Sequence, residues 1–171
     1  MTRPAETEYA PFYAGYVGLV PETDVLAVLE EQKDVFRRFA AAVPPDRERH
    51  RYADGKWSIR EVAGHLVDGE RVFGYRAFAF SRGERAPLPS FDENEYVAAS
   101  LYDRVSLADL VGELLGVREA NLAMLRRLGE AEWSRAGTAS GKPITVRALG
   151  FVMAGHPRHH LAILRERYGV A

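Results

Sequence analysis

Four long stretches of helical periodicity, separated by segments rich in proline, glycine and polar residues, constrain this chain more than any other feature. From Thr23 to about Val43, the residues Val25, Val28, Leu29, Gln32, Val35, Phe36 and Phe39 recur every three or four positions and so share one helix face. Pro44-Pro45 ends that stretch, because proline cannot continue the backbone ladder. The second helix opens at Ser58, where Ser58 and Glu61 form an S-x-x-E capping box. Ile59, Val62, Leu66, Val72, Phe73 and Phe80 make its apolar stripe, which stops near Gly83. The third starts at Ser106, with Asp109 at the capping position. Leu107, Leu110, Val111, Leu114, Val117, Leu125 and Leu128 follow in phase until Gly129. Asn121 interrupts this stripe and is expected to face a central cavity. The fourth runs from about Thr145 to Tyr168, with Gly169 as its stop signal.

Alternating apolar and polar runs of useful length are missing, so strand signals are weak. Helices of about 20 to 25 residues, each some 30 to 37 Å long, suit an all-α four-helix bundle with long crossover connections. The 83–105 segment reads as such a crossover, with one short helical turn near Asn94. Long crossovers allow neighbouring helices to run parallel. The chain reads as a single domain, 1–171. Its N-terminal arm, residues 1–20, carries Tyr9, Phe12, Tyr13 and Tyr16 and is expected to pack over one end of the bundle, with lining a pocket mouth as the alternative.

Composition removes several function classes. With 23 Lys+Arg against 24 Asp+Glu the net charge is -1, so there is no basic excess to indicate nucleic acid. With no cysteine, disulfide scaffolds, zinc ribbons, thiol nucleophiles and iron–sulfur centres are excluded. No apolar run is long enough to span a membrane, and Met1 to Tyr9 lacks the apolar stretch of a secretory signal. A cytoplasmic protein is expected.

The chemistry falls to the histidines. On a wheel of the fourth helix at about 100° per residue, with Val146 at zero, the apolar stripe centres near 300°. His156 falls near 280° and His160 near 320°, straddling that centre, whereas His159 falls near 220°, on the flank. Two imidazoles one turn apart therefore point inward, close enough to share a cation. In the second helix, His65 lies in phase with Val62, Leu66 and Val72 and also faces inward. Three inward imidazoles without a metal would each leave a polar nitrogen to satisfy in an apolar seam. Three neutral imidazoles suit zinc, and also nickel, copper or iron(II). They leave one tetrahedral position open for water or substrate.

The runs GKWSIREVAGHLVDGERVF (Gly55 to Phe73), FDENEY (Phe91 to Tyr96) and GHPRHHLAILRERY (Gly155 to Tyr168) resemble the DinB superfamily, most closely its YfiT-like branch of metal-dependent hydrolases. The similarity extends from about Tyr9 to Tyr168. The joint pattern W-S-x-x-E-x-x-x-H in one helix and H-x-x-x-H in the last carries it. The resemblance implies a four-helix bundle in up-down-down-up order, often dimeric, with zinc or nickel held by His65, His156 and His160. It also implies a small-molecule substrate. Relatives in that superfamily include thiol-dependent S-transferases, a thiol-dependent maleylpyruvate isomerase, and proteins called hydrolases from the metal site alone. A low-molecular-weight thiol or a water is therefore the expected nucleophile. A non-enzymatic, metal-stabilised binding bundle is the alternative.

Pro157 departs from this pattern. It removes a backbone hydrogen bond inside the last helix and should clash with the preceding turn, so a kink or π-bulge is expected near Met153 to His156. That could re-aim His156, or let His159 replace His160. Asp68, one turn after His65, is a candidate to orient a ligand imidazole or act as a general base. Trp57 and Trp133 are expected to plug the bundle ends, and Arg158 and Arg165 are candidates for binding a substrate carboxylate. Metal affinity is expected to fall below roughly pH 6.5, where an ordinary imidazole protonates.

Overall fold

A computed structural model describes residues 2–170; Met1 and Ala171, the outermost residues of the expected domain, lie outside the described residues. The four long helices are α2 (Val25–Ala42), α3 (Ile59–Ser81), α5 (Leu107–Leu125) and α7 (Val146–Tyr168). Short helices α1 (Ala14–Gly18), α4 (Glu93–Ala99) and α6 (Glu130–Trp133) lie between and before them. Most start and stop signals act as the sequence predicts; the exception is Gly129, since α5 ends at Leu125 and Gly129 instead precedes α6 as its N-cap. The Ser58–Glu61 capping box opens α3, and Ser106 and Thr145 cap α5 and α7 through the amides of Asp109 and Ala148. Gly169 ends α7 in the left-handed region at φ 65°, a conformation that costs glycine nothing.

Helix directions follow from which residues meet. Gln32 reaches Ala154 and Arg47 reaches Tyr168, so α2 and α7 run parallel. Trp57 meets Tyr168 and Phe73 meets His156, so α3 opposes α7. Arg60 meets Asp103 and Glu70 meets Arg118, so α3 and α5 run parallel. Lys33 pairs with Glu119 and Arg126 with Glu30, so α2 opposes α5. The order is up-down-down-up, and the 83–105 segment makes the crossover that the parallel α3–α5 pair demands. That segment contains α4 and a 3-10 turn, Tyr102–Arg104, which together exceed the single turn expected near Asn94.

The all-α reading misses one small element. Strands β1 (Ala136–Ala139) and β2 (Lys142–Thr145) form an antiparallel hairpin ahead of α7. Its two turn residues, Ser140 and Gly141, both have positive φ, 53° and 70°, the requirement of a two-residue type I′ turn. The hairpin ties the peripheral segments together. Ala10 donates its amide to the Pro143 carbonyl, and Leu88 exchanges backbone hydrogen bonds with Thr138 and Ser140. The aromatic arm and the crossover are thereby held against one end of the bundle. Trp133 is buried there in the core, as expected; Trp57 packs half-buried against the core at the opposite end, where it also lines a cavity.

The core consists of two apolar clusters. One joins the arm, the start of α2, the end of α3 and the start of α7; the other joins the end of α2 and the starts of α3 and α5 to the end of α7. Between them lies a polar layer that touches all four long helices. Arg118, fully buried, forms a two-pronged pair with Glu70 at 2.9 and 2.8 Å. It also donates to the Gln32 side chain at 2.9 Å and to the carbonyls of Leu29 and Met153 at 3.2 and 3.3 Å. This layer accounts for a departure from expectation at Pro157. Helix α7 is α-helical through Pro157, with no π-bulge. The Met153 carbonyl, which loses its usual amide partner because residue 157 is proline, accepts from Arg118 instead. The next carbonyl, Ala154, accepts from Gln32 at 2.7 Å. Asn121 belongs to the same layer rather than to a cavity wall, donating to Glu70 at 2.9 Å.

Candidate metal centre

Helix α7 presents His156 and His160 one turn apart, and the antiparallel α3 presents His65 opposite them. The three rings converge: centroid separations are 4.8 Å (His65–His156), 4.7 Å (His65–His160) and 4.6 Å (His156–His160). One nitrogen from each ring can be chosen so that all lie within 4.8 Å of one another, and Nε2 of His65 faces Nε2 of His156 at 2.9 Å. His159 stays outside the group, exposed and edge-on to His160 at 5.1 Å, so Pro157 does not exchange the two. Asp68 does not join it either. Its carboxylate accepts from the Tyr102 hydroxyl at 2.6 Å: residue 68 lies about 60° round the helix from residue 65, on the side away from Gly69 and Phe73, which face His156.

Neighbouring side chains fix the rings. Tyr16 of the arm and Phe73 of α3 meet His156 edge-on at 5.5 and 5.4 Å, and Trp57 tilts over His65 at 4.9 Å. The fit is closest at Gly69. A Cβ there would lie 2.7 Å from Cε1 and 3.0 Å from Nδ1 of His156. Gly69→Ala should therefore tilt the His156 ring, weaken metal binding at least about tenfold and cost about 1–3 kcal/mol by overpacking. A chelator-competition titration beside a urea melt checks this; unchanged metal affinity in the variant contradicts it.

Burial keeps the cluster uncharged. Desolvation, reinforced by the neighbouring histidines, pulls the pKa of His65 to about 4, that of His160 to about 3, and that of His156 well below the ordinary value. Neutral imidazoles are the ligating form, so donors persist well below pH 6.5, and the expected loss of affinity from that point is corrected downward. The Nδ1 atom of His65 is buried with no hydrogen-bond partner among the described residues. That ring's polar engagement therefore runs through Nε2, toward the other two histidines. Three uncharged nitrogen donors with lone pairs available at a common point fit a divalent cation.

The same shifts predict the acid behaviour of the metal-free protein. As pH falls below about 6.5 the unfolded chain takes up protons that the folded cluster refuses until about pH 4 or lower. Stability should fall through that window by at most about 1.4 kcal/mol per pH unit for each ring. Urea midpoints between pH 7 and 4 in the presence of a chelator test this. A profile no steeper than that of a His65→Phe, His160→Phe variant contradicts it.

The cluster forms one wall of a cavity of about 500 Å³, within the range of small-molecule sites. Trp57, Phe73 and Tyr16 line it beside the histidines, and the crossover and hairpin close its other side. The sequence reasoning found the three histidines but missed two residues of consequence, Arg118 behind the cluster and Arg76 across the cavity. Both are charged residues at positions in phase with the apolar stripes, Arg118 between Leu114 and Leu122 and Arg76 between Phe73 and Phe80.

Fold and cluster together define a four-helix bundle with a buried three-histidine centre opening on a cavity. The chain belongs to the DinB superfamily, whose family model matches residues 28–164. A relative from Geobacillus thermodenitrificans (strain NG80-2), named provisionally as a metal-dependent hydrolase, is 29% identical over 155 residues, covering 84% of each chain. Among solved structures, YfiT from Bacillus subtilis, described as a probable metal-dependent hydrolase with an unusual four-helix bundle topology, matches with a TM-score of 0.76 at 21% identity. That match covers 86% of this chain and 87% of YfiT. A mycothiol-dependent maleylpyruvate isomerase matches with a TM-score of 0.68 at 14% identity, over 91% of this chain and 63% of the isomerase. No helix among the described residues is long and apolar enough to cross a membrane.

Proposed function

We propose that this protein is a metal-dependent enzyme in which His65, His156 and His160 hold one divalent cation, zinc or nickel, beside a cavity that takes a small-molecule substrate. The observation that carries the reading is that all three rings line the wall of a cavity of small-molecule size, so that a cation held by them would be open to a ligand from that space. When bound, such a cation lowers the pKa of a water or thiol placed against it. The chain's own residues hold the geometry: Gly69, Tyr16 and Phe73 fix the His156 ring, and Trp57 covers His65. The names of the Geobacillus relative and of YfiT favour hydrolysis, and the fold shared with the mycothiol-dependent isomerase favours a low-molecular-weight thiol as nucleophile.

The two chemistries separate in one assay series. Metal-loaded protein is offered mycothiol, bacillithiol, glutathione or cysteine with a generic electrophile, and separately a panel of simple esters and amides. One arm should give a metal-dependent rate well above that of His65→Ala. Rates equal to that variant throughout contradict the enzymatic reading. If metal still raises the melting temperature in that case, the alternative of a metal-stabilised binding bundle takes its place.

A further inference from the structure

The cavity has a second pole. Arg76 of α3 is 3% exposed and lines the cavity across Phe73 from the histidines. The Phe73 ring centroid lies 5.4 Å from the His156 ring and 6.0 Å from the Arg76 guanidinium carbon, so one aromatic ring spans the gap. Arg76 donates to the Pro89 carbonyl at 2.8 Å and to the Ser140 hydroxyl at 2.9 Å, yet among the described residues no carboxylate lies within ion-pair distance of it. The other two buried arginines are paired, Arg118 with Glu70 and Arg147 with Glu8 and Glu130. A buried cation without a counter-charge is costly, and burial already pulls the Arg76 pKa down. Three further groups line the same cavity. Among the described residues the buried Tyr13 hydroxyl has no hydrogen-bond partner and Lys142 has no carboxylate partner; Lys142 lies 4.8 Å over the Phe12 ring, and Ser140 has φ 53° in the hairpin turn. The turn that requires this φ places the Ser140 hydroxyl 2.9 Å from an Arg76 nitrogen.

We infer that Arg76, with Tyr13, Ser140 and Lys142, binds a carboxylate of the substrate, whose apolar body lies against Phe73 toward the three histidines. A guanidinium fork flanked by hydroxyl donors matches a planar carboxylate in shape and charge. Arg76 and Lys142 bring two positive charges to the cavity and Glu93 one negative, a balance that favours a monoanion over a phosphate dianion. The substrate class is therefore a small carboxylic acid with an aromatic or extended apolar portion. Arg158, a candidate for this role on sequence grounds, is instead engaged by Glu22. The inference rests on reading the cavity as the substrate site, but not on the metal.

Calorimetric titration of phenylacetate, its neutral amide phenylacetamide and phenyl phosphate tests it, on metal-loaded wild type and on the His65→Ala variant. Phenylacetate should bind at least tenfold more tightly than the amide to both proteins, and more tightly than phenyl phosphate. Arg76→Gln should abolish the preference for phenylacetate over the amide. Lys142→Ala, at a half-buried position, should reduce that preference about two- to threefold and serves if Arg76→Gln does not fold. Preference retained in His65→Ala upholds the subsite even where the metal reading fails. Equal binding of acid and amide, absence of binding, tighter binding of the phosphate, a preference seen only with metal, or one unchanged in folded Arg76→Gln overturns it.

Discussion

Arg118→Met should destabilise the protein by about 3–5 kcal/mol, the cost of leaving a buried carboxylate without its partner. Glu70 is 2% exposed and its carboxylate is met by Arg118 on both oxygens, with Asn121 on one. Without the guanidinium, the Met153 carbonyl freed by Pro157 and the Gln32 side chain would each lose a donor as well. Adding Glu70→Met to Arg118→Met should recover at least about 1 kcal/mol, because the charge is then no longer buried alone. Urea unfolding of both variants in chelator measures this. A single variant within about 0.5 kcal/mol of wild type would show that the layer is not what stabilises the proline-containing turn.

Much of this structure can be read from the sequence, for identifiable reasons. Ser58, Thr145 and Gly169 act through neighbouring backbone, so a local pattern suffices to place the ends of α3 and α7. The three histidines are legible because each lies in phase with an apolar stripe, and a polar residue there needs a partner. Arg118 and Arg76 obey the same phase, between Leu114 and Leu122 and between Phe73 and Phe80, but a charged side chain is by default read as solvated. Their burial depends on what other helices bring: Glu70 and Gln32 for Arg118, Ser140 and Pro89 for Arg76. The continuity of α7 through Pro157 is hidden for the same reason, since the group that replaces the lost amide comes from α5. The hairpin had a local signal, the Ser140-Gly141 pair, but strands of four residues are too short to show alternation. Asp68 shows that adjacency on a helix does not make contact: one turn from His65, it faces Tyr102.

A cation that binds the folded chain alone, present at 100 times its dissociation constant, adds about 2.7 kcal/mol of stability. For a chain of this length that corresponds to a rise in melting temperature of roughly 5–10 °C. His156→Ala should abolish that rise and weaken metal binding by more than about 100-fold, since loss of a ligand exceeds the cost of losing a group that merely orients one. His159→Ala should leave metal affinity near that of wild type, because its ring lies outside the cluster. This pair separates a specific centre from general histidine-rich affinity for metals.

The centre formed by residues 65, 156 and 160 is proposed to hold one metal ion. The most direct test of that proposal is the metal content of protein purified without a histidine tag, reconstituted with zinc or nickel, dialysed against metal-free buffer and analysed by mass spectrometry. Wild type should retain one equivalent per chain, and the variant with all three residues replaced by alanine none. Retention by wild type no greater than by a folded triple variant would contradict it.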